Sequence, residues 1–120
     1  MTEFASLDRC AAYVAARHAL TAIHSTVTRW PPPLAEQAKR AAIEVVMTTA
    51  EGIGHDHDSP ARRRCLRAAI GCAIEVAAVV DVARAMGYAD LDRAQRLAGR
   101  SVAMLGLFLH ASVTRADDQP

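Results

Sequence analysis

The segment from residue 55 to residue 58 contains the side chains in this chain best suited to binding a metal ion. It reads His55-Asp56-His57-Asp58, so two imidazoles and two carboxylates lie within four residues. Both groups bind divalent metals, although alternating residues of one loop rarely complete a tetrahedral site without further ligands. The pattern therefore favours a polar loop before a helix, with a metal or small-ligand site at His55 and His57 as the alternative. We predict no cofactor.

Two carboxylates lie in apolar surroundings and are candidates for acid–base chemistry. Glu51 precedes two glycines, and Glu75 follows a run of apolar residues, so both are predicted to be partly buried. Paired carboxylates can transfer protons, but hydrogen bonds at a helix end or from a neighbouring helix, for instance with Arg40 or Tyr88, are the stronger explanation. The sequence has no nucleophile beside a base and no glycine-rich phosphate loop after a strand. We predict that the protein is not an enzyme.

Basic residues form the most distinctive charged cluster. Four arginines fall at the start of a predicted helix, where positive charge opposes the helix dipole, so a partner rather than helix stability would explain them. A pair on the preceding helix adds to the candidate nucleic-acid-binding set, and Arg93, Arg96 and Arg100 form a further stripe at helical spacing. The candidate set is Lys39, Arg40, Arg62, Arg63, Arg64 and Arg67. The alternative is a solvated face paired with nearby acidic residues.

The overall composition limits the classes of partner. Fourteen basic and thirteen acidic residues give a net charge of +1, so no global field attracts nucleic acid or an anionic membrane. The 120 residues suit one domain, 1–120, and the three cysteines, Cys10, Cys65 and Cys72, suit reduced thiols that pack as small core residues. Residues 1–7 include Glu3 and lack the features of a signal peptide, so we expect a cytoplasmic protein.

Apolar periodicity predicts four helices and no strand. The first covers about 4–30 and ends at three prolines. The second covers about 34–51 and is stopped by Gly52 and Gly54, which can take a left-handed conformation. The third covers 59–86, with Ser59 as its N-cap and Gly87 as its stop. The fourth follows Asp90, a predicted cap, and ends before a polar tail, 116–120, that is expected to fray. Short connections predict an all-α, antiparallel up-down-up-down four-helix bundle.

The apolar faces of helices two, three and four are wider than one bundle needs. Between residues 68 and 83 the only charges are Glu75 and Asp81, so the third helix is predicted to be buried nearly all round. A membrane span is rejected because the uninterrupted apolar run, 68–74, is far shorter than the roughly 20 residues required. Surplus apolar surface must be covered, and we therefore predict a homo-oligomer.

Four segments carry a resemblance to a known family. They are Gln-Ala-Lys-Arg-Ala-Ala at 37–42, Ala-Glu-Gly-Ile-Gly at 50–54, Gly-Cys-Ala-Ile-Glu at 71–75 and Ala-Arg-Ala-Met-Gly-Tyr at 83–88. In order and spacing they resemble the small four-helix-bundle proteins encoded in intervening sequences of bacterial 23S ribosomal RNA genes. The resemblance spans most of the chain.

This resemblance implies a homopentameric ring without established enzymatic activity. The family is also similar to the accessory variability protein of diversity-generating retroelements, which binds nucleic acid and a reverse transcriptase. Two hypotheses follow for this chain: a ring-forming interaction protein that binds RNA or DNA through its basic patches, or a structural or protein-partner scaffold without nucleic-acid affinity.

Overall fold

The computed structural model describes the backbone of residues 7–117 and the side chains of residues 7–112, and within this part every regular element is helical. The elements are α1, Ala11–Thr26; a 3₁₀ turn, Val27–Arg29; α2, Pro32–Ile53; α3, Pro60–Ala85; and α4, Asp92–Asp117. The predicted all-α, four-helix fold is therefore confirmed. Of the predicted frayed tail, residues 116 and 117 are helical and residues 118–120 lie outside the described part.

The four helices form an elongated bundle of 53 × 27 × 20 Å, in which each helix packs against its two neighbours and α4 closes the bundle against α1. Residues far apart in sequence meet in antiparallel order, both where α3 contacts α2 and where α3 contacts α4. The pairs that establish this order are Gln37 with Glu75, Gly52 with Leu66, Arg84 with Asp92, and Arg62 with Phe108. No helix of the described residues is long and apolar enough to cross a membrane.

Helix α1 is shorter than the predicted span of 4–30, of which residues 4–6 lie outside the described part. It begins after Cys10, whose backbone is extended and whose carbonyl accepts the first helical hydrogen bond, from Val14, at 3.0 Å. The buried face of α1 consists of five alanines and Ile23. Such small side chains let its neighbours approach closely.

The prolines end α1 less directly than predicted. Pro32 and Pro33 occupy the first turn of α2, while Pro31 precedes it in an extended conformation. Proline fits a first helical turn because its missing N–H would have no partner there, and its fixed φ already suits the helix. The chain therefore reverses between the 3₁₀ turn and Pro31, where Trp30 is buried at 5% exposure.

Three hydroxyl side chains are buried among the apolar residues of the core. Thr49 donates to the carbonyl of Val45 at 2.6 Å, and Ser101 donates to the carbonyl of Ala98 at 2.8 Å. Ser112 is bonded in the same way within α4. Each hydroxyl is satisfied within its own helix, so none requires a partner from another element.

The first residues of α3 and α4 are fixed by local hydrogen bonds and backbone conformation, which the sequence predicted correctly for α3 and not for α4. Ser59 caps α3 as predicted, since its side chain accepts the N–H of Arg62 at 3.1 Å. Asp90 is not the cap of α4: it has φ 63°, and the carbonyl of the next residue, Leu91, accepts the first helical bond, from Gln95. A short polar side chain is one of the few that tolerates this left-handed backbone, which turns the chain into α4.

Candidate nucleic-acid interface and apolar outer face

Arg62, the first residue of the predicted basic cluster, is buried with 8% exposure. Its guanidinium carbon lies 4.9 Å from the ring centroid of Phe108 on α4, and its Nη1 lies 3.0 Å from Nδ1 of His57. Its Nε has no hydrogen-bond partner among the described residues. Burial lowers the pKa of this guanidinium, although the nearby Cys10 acts in the opposite direction. Arg62 therefore packs α3 against α4 and does not belong to an exposed basic patch.

The other three arginines of the cluster differ in their surroundings. Arg63 is half-buried and donates to the carbonyl of Asp58 at 2.6 Å, so it holds the preceding loop. Arg64 and Arg67 are exposed, one turn apart on the outer side of α3, and neither forms an ion pair within the described residues. The cluster of four therefore contributes two freely accessible guanidinium groups.

Lys39 and Arg40 lie apart from this cluster, in more acidic surroundings. Lys39 pairs with Glu36 at 3.3 Å on the surface of α2. Arg40 is exposed and lines a shallow cleft together with Glu44 and Glu75. Because Gln37 on α2 contacts Glu75 on α3, Arg40 is level with about residue 72 of α3. This level lies five residues, or roughly 7.5 Å along the bundle axis, from Arg67. The six predicted residues thus do not form one continuous surface.

The arginine stripe on α4 is exposed as a group. Arg93, Arg96 and Arg100 recur at helical spacing on the side of α4 opposite its buried residues. Within the described side chains none of them forms an ion pair. These three arginines and the pair Arg64 and Arg67 at the start of α3 are thus two separate sets of accessible guanidinium groups.

Large apolar side chains are exposed mainly on α2 and α3. Among the described residues, those at 46% exposure or more are Ile43, Met47, Ile74, Val82, Met86 and Leu107. The first two are on α2, the next two are on α3 with Met86 at its C-cap, and Leu107 is on α4. The prediction that α3 is buried nearly all round is wrong for the single chain, because its outer face remains open.

The outer face of α3 combines two large apolar side chains with very small residues. Ile74 and Val82 are exposed, and so are Gly71, Ala78 and Ala85 on the same side of the helix. Small residues leave room for a second helix to approach closely. We refer to Gly71, Ile74, Ala78, Val82 and Ala85 as the α3 outer face.

The two carboxylates predicted to be partly buried are both exposed. Glu75 accepts a hydrogen bond of 3.4 Å from Nε2 of Gln37. Within the described residues, neither Glu51 nor Glu75 bonds with Arg40 or Tyr88 as the sequence suggested. Each carboxylate sits at the edge of the α2–α3 contact rather than within it, so this structure places no buried carboxylate pair there for acid–base chemistry.

The two histidines of the predicted metal loop point in different directions. His57 contacts Arg62, as described above, whereas His55 lies beside Glu51 and Cys65. One potential ligand atom from each of these three residues lies within 4.8 Å of the other two. The sequence predicts Cys65 to be a small core residue and does not reveal this proximity. The spacing of four between Glu51 and His55 was a usable signal, but the position of Cys65 depends on how α3 returns along α2.

Comparison with models of known protein families gives no match, and comparison with curated protein sequences also gives none.

Proposed function

We propose that the protein is a non-enzymatic, homo-oligomeric four-helix-bundle interaction protein that associates through the exposed apolar residues of α2 and α3. The α3 outer face is the observation that carries this proposal. It runs from Gly71 to Ala85, has no charged member, and is lined by small residues, with Glu75 and Asp81 at its edges. Such a surface is expected of a helix that packs against a second copy.

The distribution of exposed apolar residues suits a ring. In a closed ring with one type of interface, each subunit uses two different patches, one for each neighbour. Ile43 and Met47 on α2 supply one apolar patch, and the α3 outer face supplies another on the adjacent helix. The resemblance to the intervening-sequence family implies a ring of five such subunits.

Light scattering tests this proposal through the mass in solution. The single chain has a mass of 12.8 kDa, and a pentamer has about five times that mass. We expect Ile74→Glu and Met47→Glu each to dissociate the assembly into single chains. Each variant places an unpaired charge in the interface between subunits, where it would be buried. Leu107→Glu is the matched control: Leu107 is 63% exposed, against 62% for Met47, but lies on α4. A monomeric wild type, or dissociation of all three variants, would contradict the proposed surface.

Nucleic-acid binding is the second candidate function, and the accessible arginines of α3 and α4 favour it. Arg64 and Arg67 on one helix, and the three arginines of α4 on another, present guanidinium groups that are not paired with carboxylates within the described residues. Arginine binds phosphate oxygens in bidentate geometry, and an oligomer repeats each patch, so weak contacts add up. Arg62 is buried and is therefore not part of this proposal. Lys39 and Arg40 are also left out, because their carboxylate neighbours offset their charge.

Salt-dependent binding to mixed RNA and DNA tests this second function. Removing Arg64 and Arg67 together should weaken binding and reduce the slope of log affinity against log salt by about 1 for each phosphate that is no longer neutralised. The double variant Arg17→Ala/Arg84→Ala removes the same charge from arginines that already pair with Asp8 and Asp92, and it should bind like the wild type. Equal weakening in both variants would indicate a general charge effect. A stable oligomer without any nucleic-acid affinity would leave the protein-partner scaffold as the function.

A further inference from the structure

We propose that Glu51, His55 and Cys65 form a binding site for a thiophilic divalent cation, with Zn²⁺ as the best match. These residues come from two helices and the loop between them, and the bundle brings a carboxylate oxygen, an imidazole nitrogen and a thiol sulfur together. This site is separate from the α3 outer face proposed for self-association, and it adjoins Arg64 of the surface proposed for nucleic acid.

Local helix geometry places the first two ligands. Glu51 is on the last turn of α2, and His55 follows four residues later, immediately after the Gly54 cap. Residues four apart at a helix end lie on the same side, one turn above the other. The backbone remains tightly wound here, since the N–H of His55 bonds to the carbonyl of Gly52 at 3.2 Å. The chain therefore keeps both side chains near the α2 C-terminus.

Close packing of two helices supplies the third ligand. Gly52 is buried between its neighbours, and a Cβ at this position would lie 3.2 Å from Cβ of Cys65 and 3.2 Å from Cδ2 of Leu66. Because Gly52 has no side chain, α3 approaches α2 closely enough to bring the Cys65 thiol beside Glu51 and His55. Cys65 is half-buried, while the other two ligands are exposed.

The separations are compatible with one metal ion. Ligand atoms around tetrahedral Zn²⁺ are roughly 3.5 Å apart, given metal–ligand distances of about 2.0–2.3 Å. The three atoms here lie within 4.8 Å of one another, so a movement of about 1 Å is needed. Exposed Glu51 and His55 side chains can make it by rotation, without displacement of either helix.

The donor set and the local charge indicate which metal is preferred. Thiolate and imidazole ligands select Zn²⁺ and related transition metals, whereas Mg²⁺ and Ca²⁺ require oxygen ligands. The C-terminus of α2 carries partial negative charge, which favours a cation at this place. Burial, followed by the charge of Glu51, raises the pKa of the Cys65 thiol, while Arg64 lowers it. Metal binding therefore releases the thiol proton to solvent as the metal–sulfur bond forms.

Three protein ligands leave one position of a tetrahedral ion for water or for a group from outside the chain. A bound ion would link the end of α2 to the start of α3 and hold the 54–59 turn in place. A bound ion would thus stabilise this turn and keep one coordination position open at the surface of the bundle.

Cobalt titration tests the site directly, because a thiolate bound to Co²⁺ produces a charge-transfer absorption band in the near ultraviolet. We expect reduced, metal-free protein to bind one Co²⁺ per chain with this band, and Zn²⁺ to displace it. Cys65→Ser should abolish the band and lower the affinity by at least about 100-fold, since even the outer partners of metal ligands change affinity by 10–100-fold. Cys72→Ser, seven residues later on α3, is the matched control and should leave the titration unchanged.

Further variants separate the site from unrelated binding. His55→Asn and Glu51→Gln should weaken binding, whereas Asp56→Asn, within the same loop, should not. The variant Ile74→Glu should bind the metal like the wild type, so that failure of self-association does not affect this test. Circular dichroism of each variant verifies that it is folded. No band in the wild type, a band that persists in Cys65→Ser, or a band abolished by Cys72→Ser would overturn the proposal.

Discussion

A glycine lies at the C-terminal end of α2 and another at the C-terminal end of α3, but the two glycines have different physical roles. Gly52 lies inside the last turn of α2, is buried, and allows the close approach of Cys65 and Leu66. Gly87 follows α3, has φ 93°, and has no neighbouring heavy atom within 4 Å of where a Cβ would lie. One glycine is required for space and the other for backbone handedness.

The hydrogen bonds around the second turn show why handedness matters there. The N–H of Tyr88 bonds to the carbonyl of Ala83 at 3.1 Å, and the N–H of Gly87 bonds to the carbonyl of Arg84 at 3.0 Å. This is the Schellman arrangement, in which the residue after the helix is left-handed. At the first turn, Gly54 has φ −71° and continues the helical conformation, so neither Gly52 nor Gly54 uses the left-handed conformation that glycine allows. Glycine near a helix end thus has at least two explanations, which predict different responses to substitution.

The largest expected effect is that of a larger side chain at Gly52. Gly52→Val should lower the free energy of unfolding by about 1–3 kcal/mol, because extra methyl groups must displace Cys65 and Leu66 in a packed contact. Gly99→Val is the control, since this helical glycine on α4 has nothing within 4 Å of an added Cβ and valine is the better helix former. Urea denaturation of both variants measures the difference. An equal response at the two sites would show that the α2–α3 contact does not depend on the missing side chain.

At Gly87 the expected effect comes from the backbone alone. Gly87→Ala should lower the free energy of unfolding by about 1–2 kcal/mol, because an L side chain is strained in the left-handed region even where space is available. Gly87→Asn should be less destabilising, since asparagine tolerates this conformation better. Thermal denaturation of the pair distinguishes strain from packing. If alanine and asparagine destabilise equally, strain is not the reason for glycine here.

Loss of the cap at the α2–α3 turn should have a slightly smaller effect. Ser59→Ala removes the acceptor for the N–H of Arg62 and should lower the free energy of unfolding by about 1 kcal/mol. Ser59→Asp keeps an acceptor at the same position and should restore most of the stability. Chemical denaturation of the two variants tests this order, and an alanine variant as stable as the wild type would mean that water replaces the cap fully.

The smallest expected effect concerns the ion pair beside the α3–α4 turn. Arg84 Nη2 lies 3.0 Å from Oδ1 of Asp92, but the Asp92 side chain is 92% exposed. Solvent screens such a pair, so Arg84→Ala should change the free energy of unfolding by less than about 1 kcal/mol. Raising the salt concentration should reduce the difference between the variant and the wild type further. A larger destabilisation in denaturation experiments would show that Arg84 contributes through its bond to Gln95 as well.

Several details of the bundle were predictable because their causes are local. Ser59 followed by a proline indicated the start of α3, and Gly87 indicated its end, since both depend on bonds within a few residues. Leu91, Ala98 and Leu105 recur every seven residues, which places them on one side of α4, and all three are at 2% exposure or less. A repeat of 3.6 residues per turn is enough to recognise such a face.

The candidate sites were less predictable, because their chemistry depends on contacts between helices. The sequence grouped Arg62 with an exposed basic run, but its position on the buried side of α3 places it over Phe108 of α4. Charge alone suggested exposure, and the burial follows from the packing of α3 against α4. Cys65 was assigned to the core for the converse reason: a small, weakly polar side chain suggested burial, whereas its sulfur lies at an edge shared with Glu51 and His55.

Periodicity and capping act within one or two turns, so the amino-acid sequence alone was enough to specify the number of helices, their approximate bounds, the chemistry of two helix ends and the surplus of apolar surface. The packed bundle was needed to establish which arginines are accessible, which side of α3 remains open, why Gly52 is a glycine, and which side chains meet at the α2–α3 turn. Those properties depend on how residues far apart in the chain are brought together, and the relative rotation of two packed helices is not encoded in the pattern of either helix alone.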